Sequence, residues 1–136
     1  MFNNILVAVD PSHDAKQDRA LEMARKLADD TMAEISALTV VEPMPLHIPA
    51  DYGPDVRVVA ADKAMNALRK HVGSESEIRT FVRHGRAAHE IIEHAKEHNI
   101  DCILVASHRP DLTDYLLGST AARVVRHAPC TVIVLR

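Results

Sequence analysis

Short aliphatic runs alternate with stretches of helical periodicity along the whole chain. Residues 5–9, Ile-Leu-Val-Ala-Val, are continuously apolar, the pattern of a strand covered on both faces. Residues 14–29 place Ala20, Leu21, Ala24, Leu27 and Ala28 at helical spacing with charges between them, and residues 34–41 read as a second strand. Pro43, Pro45, Pro49 and Pro54 then break the chain, which excludes regular structure and makes a long connection. Residues 55–72 return to a helical pattern, with Val58, Val59, Ala61, Met65 and Leu68 as its apolar stripe. Residues 78–82 predict a third strand ended by Gly85, and residues 86–98 a helix that turns Ile91, Ile92 and Ala95 inward. A fourth strand over 101–106, a helix over 118–127 and a fifth strand over 131–135 complete the series.

Strands separated by single helices imply right-handed crossovers and a parallel sheet with helices on both faces. The fold class is therefore α/β, doubly wound. With no internal repeat, charge block or linker, residues 1–136 read as one domain. Such sheets bind ligands outside the carboxyl ends of their strands, where the strand order reverses. An order of 3-2-1-4-5 puts that crevice between the first and fourth strands, with Asp10 and Ser107 on its lip. The sequence alone leaves the order open.

A chain of 136 residues buries roughly two thirds of its unfolded surface. The net charge of −3 and the lack of a basic stripe argue against nucleic acid as a partner. Aromatics are 3% with no Trp, so the core must be aliphatic and a base-stacking platform is not expected. No apolar run approaches the roughly 18 residues that span a bilayer. The first four residues carry no basic segment or cleavage site, so the expectation is a cytoplasmic protein with no membrane partner. Cys102 and Cys130, the only cysteines, are expected to be buried and reduced.

The candidate chemistry lies between the fourth strand and the last helix. Ser107-His108-Arg109-Pro110-Asp111 leaves the strand, and Leu116-Leu117-Gly118-Ser119-Thr120 opens the helix. Backbone N–H groups at a helix start lack partners and attract anions, above all phosphate. Gly118 permits close approach, and Ser119 and Thr120 offer hydroxyls. A plainer role for Ser119 is the N-cap, worth about 1 kcal/mol. Pro110 removes one backbone donor, while His108 and Arg109 add side-chain donors. Asp10, before Pro11, can simply end a strand and cap a turn.

Nine histidines invite a metal reading, with His89-Glu90-Ile91-Ile92-Glu93-His94 the nearest approach to a zincin. The position four after His89 is Glu93, and His94 is turned by about 140° from His89 at ~100° per residue. His94 and His98 stand four apart without a third ligand. They read as part of a solvated, charged helix face, and no metal site is expected. Neither a nucleophile elbow nor a P-loop nor Gly-x-Gly-x-x-Gly occurs, and no catalytic residue is assigned.

The opening residues 5–10, the Leu38-Thr39-Val40-Val41 strand, the long proline-rich loop and the ending Arg126-His127-Ala128-Pro129-Cys130-Thr131-Val132-Ile133-Val134 together resemble the universal stress proteins. The likeness covers essentially the whole chain. Ala106 to Asp111 with Tyr115-Leu116-Leu117-Gly118-Ser119 is most similar to the F-type branch of enteric bacteria. The resemblance implies a five-stranded 3-2-1-4-5 sheet of the adenine nucleotide alpha hydrolase-like kind and a cytoplasmic role in the stress response.

The family's ATP-binding pattern is Gly-x-x-Gly-x9-Gly-[Ser/Thr]. Here Ser107 and Pro110 stand at the first two glycines, and only Gly118-Ser119 is intact. The F-type branch shares this rebuilt loop and is thought to bind ATP nevertheless. The resemblance thus implies ATP, ADP or AMP, with Ala8, Val9 and Val40 walling the adenine and Asp10 beside the ribose. Ser107, His108, Arg109, Gly118, Ser119 and Thr120 would meet the phosphates. A Mg²⁺ ion can accompany them without dedicated protein ligands. No general base faces an attacking water, so slow ATP hydrolysis is the most the site implies. The alternative is a branch that has lost its ligand and acts only through an unknown protein partner. Val132, Ile133, Val134 and Leu135, if at a sheet edge, would form an uncovered ladder. Family members dimerise through this strand, which implies a homodimer; assembly beyond two copies stays open. The loop over 42–54 is either a cover for the crevice or an interaction surface.

Overall fold

The computed structural model describes residues 1–10, 14–43, 53–73, 76–107 and 117–136. Along the chain run β1 (Asn4–Ala8), α1 (Asp14–Thr31), β2 (Glu34–Val41), α2 (Gly53–Val72), β3 (Arg79–His84), α3 (Ala87–Glu97), β4 (Cys102–Ala106), α4 (Ser119–His127) and β5 (Thr131–Leu135). The strands pair in parallel in the order β3-β2-β1-β4-β5, as expected, and the order reverses between β1 and β4.

Alternation along each strand divides the core into two layers. Ile5, Val7, Ala37, Cys102 and Leu104 lie under α1 and α2, against Ala20, Leu21, Ala24, Ala28, Leu68 and Val72. Leu6, Leu38 and Ile103 lie under α3 and α4, against Ala88, Ile91, Ala95 and Val124. Fully burying one such aliphatic side chain contributes about 1.5–3 kcal/mol, so the central strands, buried on both faces, anchor the fold. The start of β1 is tied down by Asp101, whose carboxylate accepts from the N–H groups of Asn3 at 2.7 Å and Asn4 at 3.1 Å.

The stripe expected on α2 is only partly inward. Leu68 and Val72 are buried, but Val58 and Val59 are 58% and 64% exposed. Burial rises along the helix because only its C-terminal half lies over the sheet layer shared with α1. β3 runs Arg79–His84, one residue later at its start and two at its end than the apolar run suggests. It stops at Gly85, whose φ of +145° is outside the range of L side chains. A Cβ there would meet Glu90 Oε1 at 2.7 Å.

On α3 the inward face includes Ile91 and Ala95 as expected, with Ile92 half-buried, and also Ala88 and His94. His94 is 1% exposed, so the solvated face read for His94 and His98 is wrong at His94. Counting back from Ala95 by four and seven gives Ile91 and Ala88, and His94 shares that stripe at the three-residue spacing from Ile91. Cys102 is buried and Cys130 half-buried, and both are free thiols. Burial pushes Cys102 up to about 11, with the neighbouring Cys130 adding to it, and pushes Cys130 up as well. Neither is an activated thiolate.

Candidate functional site

The crevice forms where β1 and β4 stop pairing. Their last paired residues are Ala8 and Val105. Beyond them the main chain bonds outward, Val9 N–H to Leu38 O in β2 and Ser107 N–H to Leu135 O in β5, both at 2.8 Å. Asp10 and Ser107 each stand two residues past the Ala8–Val105 pair, on opposite lips of the opening. Asp10 is half-buried, and Ser107 is 9% exposed. Because the Ser107 amide serves the β4–β5 ladder, it is not available to a phosphate.

The residues expected to wall an adenine divide between the two layers. Ala8 and Val40 are partly buried on the layer under α3 and α4. Val9 is 5% exposed and packs on the other layer, beneath α1. Its side chain therefore lies on the opposite side of the sheet from those of Ala8 and Val40. Its backbone is engaged as well, the N–H by Leu38 O and the carbonyl by Thr39, so Val9 does not wall the base as expected. Sequence reasoning missed Thr39, which is 5% exposed and whose Oγ1 donates to Val9 O at 3.0 Å. This bond fixes the last residue before Asp10 against β2. The available signal was a hydroxyl among the apolar residues of β2, a feature it shares with the buried Ser36.

α4 follows β4 and leads back into β5, so it starts at the same carboxyl end of the sheet. Gly118 takes the cap position, and Ser119 and Thr120 are the first two helical residues. Ser119 is thus not the N-cap, and no side chain among the described residues caps this helix. The first intrahelical bond runs from Ala122 N–H to Gly118 O at 2.8 Å, so the amides of residues 119–121 precede the ladder and are free of it. The Gly118 torsions, φ −55° and ψ 152°, suit any residue. The glycine matters there only for the room it leaves. Ser119 is exposed and Thr120 half-buried. His108 and Arg109 lie outside the described residues, as does most of the loop over 42–54.

The carboxyl end of the sheet therefore carries a carboxylate after β1 and, at the start of α4, two hydroxyls beside amides that lie outside the helical ladder. Such a division suits a ligand with hydroxyls at one end and negative charge at the other, because the helix start attracts an anion that Asp10 would repel. Among the described residues, no group of three or more His, Cys, Asp or Glu could hold a metal ion. A cleft of about 710 Å³ opens at the opposite end of the sheet, beside Arg25, Glu34 and Arg79, and takes no part in this site. No helix among the described residues is long and apolar enough to cross a membrane.

Comparison with known proteins agrees with this architecture. The universal stress protein family model matches residues 1–136. Universal stress protein G of Salmonella typhimurium is 32% identical over 145 residues, covering both chains in full. The structure of universal stress protein UspA from Lactobacillus plantarum superposes with a TM-score of 0.74 at 32% identity, over 98% of this chain and 97% of that one. A universal stress protein solved in complex with cAMP has the same fold, with a TM-score of 0.65 at 22% identity over 99% of this chain and 97% of its own. With its whole length matched, this chain belongs to the universal stress protein family.

Proposed function

We propose that this chain is a cytoplasmic stress-response module that binds ATP, or a related adenine nucleotide, at the parting of β1 and β4. The observation that carries the reading is that Asp10, after β1, and the start of α4, after β4 and without a side-chain cap among the described residues, share the carboxyl end of the sheet at its order reversal. Ribose hydroxyls donate to Asp10, and the phosphates meet the amides of residues 119–121 and the hydroxyls of Ser119 and Thr120. Ala8 and Val40 form the apolar seat for the base. A universal stress protein of the same fold solved in complex with cAMP supports an adenine ligand for this chain. His108 and Arg109 supply further phosphate donors, and a Mg²⁺ ion travels with the nucleotide. The rebuilt loop, with Ser107 and Pro110 at the first two glycine positions, supports a likeness to the F-type branch.

The protein works as a homodimer, with the nucleotide altering how the dimer meets a protein partner. β5 lies at the sheet edge with its aliphatic residues half-buried, which supports pairing there. A regulatory ligand needs only micromolar affinity, about −8 kcal/mol, within reach of one base seat and a few phosphate donors. Isothermal titration of nucleotide-stripped protein tests this. Saturable heat with ATP, ADP or AMP is expected; no heat with any of them at millimolar concentration leaves the protein as an interaction module without a ligand.

A further inference from the structure

His94 is 1% exposed, and neither ring nitrogen has a hydrogen-bond partner among the described residues. Its ring stacks on that of His98, with centroids 3.9 Å apart and planes 16° from parallel. Phe81 of β3 meets it edge-on at 4.7 Å. A neutral imidazole here fills an apolar slot as a ring, and its two polar atoms go unpaired. Unpaired buried nitrogens are already unfavourable, and a proton on this ring would add an unpaired buried charge, which costs far more.

The groups around the slot on balance disfavour that charge. From β3, Arg83 brings a second positive group, held in place by Glu90 and Glu97, each at 2.8 Å. On α3 itself, His98 repels a proton and Glu97 alone attracts one, but that carboxylate is committed to Arg83 and exposed. The residues that β2 and α4 contribute to the layer against α3 are aliphatic, Leu38, Val40 and Val124. The charged residues of α4, Arg123, Arg126 and His127, are exposed.

We propose that His94 makes α3 an acid-released clasp: protonating its ring expels it from the slot beside Phe81 of β3 and frees the helix from the sheet before the rest of the domain unfolds. β3 is the right place for such a release. It is an edge strand with no fully buried residue, whereas β1 and β4 are buried along their lengths. Release would also loosen α4, which packs on α3 and whose first turn lines the crevice. The inference does not depend on a nucleotide being bound.

Burial, then His98, then Arg83 lower the His94 pKa from 6.5 to about 4. Above 6.5 the ring is neutral with α3 docked or released, so docking has its full stability at neutral pH. Between 6.5 and 4 the released form takes up a proton that the docked form refuses, and docking weakens as pH falls. Below 4 both forms are protonated and the loss stops. These values raise the opening equilibrium about twentyfold between pH 7 and pH 5.

Two measurements test this. The carbon-bound ring protons of His94, followed by NMR in the wild-type protein, should titrate near pH 4; a midpoint near 6.5 overturns the proposal. Amide exchange across α3, corrected for intrinsic rates, should lose about twentyfold protection from pH 7 to pH 5, while β1 and β4 stay protected. In His94→Leu, which keeps the ring's bulk without a titrating group, that loss should vanish. An equal acid loss in both proteins overturns the proposal. Should His94→Leu fail to fold, the wild-type titration decides alone.

Discussion

A single hydroxyl links the core to the crevice. Thr39 Oγ1 holds Val9 O at 3.0 Å in a buried setting, and Val9 is the residue before Asp10. Thr39→Val keeps the shape and leaves that carbonyl short of a partner, a loss of about 1–2 kcal/mol. Chemical denaturation should show a lower midpoint with an unchanged slope. If Asp10 receives a ribose, the same variant weakens nucleotide binding, because the carboxylate's strand end is no longer fixed. A variant as stable as wild type would mean that the backbone alone sets the end of β1. The sequence displayed the types of residue at this site more readily than their directions. Asp10, Ser107 and Gly118 were legible as the ends of elements. That Val9 points away from Ala8 and Val40 follows from strand alternation, but only once the layers above and below the sheet are known.

The elements themselves were legible wherever one period dominated. β2 and β5 keep the bounds read from the sequence, 34–41 and 131–135, and the α1 stripe is buried as spaced. Misreadings came where the tertiary partner decides. Val58 and Val59 obey the α2 period, yet that end of the helix is not covered by the layer that holds Leu68. His94 breaks the polar pattern because an imidazole can serve as an aromatic ring beside Phe81. The α2 gradient predicts unequal costs along one stripe. Leu68→Ala, at a fully buried site, should lose about 2–5 kcal/mol. Val58→Ser should stay within about 0.5 kcal/mol. Thermal or urea unfolding of the pair checks both, and similar losses would show that the first turns of α2 are packed after all.

At the scale of the whole molecule, the strand order turns one local ladder into a question about assembly. Ser107 N–H donates to Leu135 O, in a parallel register where Leu135 pairs with Ala106. The N–H and C=O of one strand residue point the same way, and those of the next point oppositely. Leu135 and Ile133 therefore bond toward β4, whereas Val132 and Val134 turn their backbone groups to the open edge. A dimer built by pairing β5 with its two-fold mate would use those outward groups. Proline is tolerated at an edge position whose N–H faces outward and not at one inside a ladder. Val134→Pro should thus leave the monomer folded by circular dichroism while sedimentation shifts from dimer to monomer. Ile133→Pro should break the β4–β5 ladder and unfold the protein. A Val134→Pro protein that still sediments as a dimer would place the interface elsewhere, and a monomeric wild type at tens of micromolar would remove it altogether.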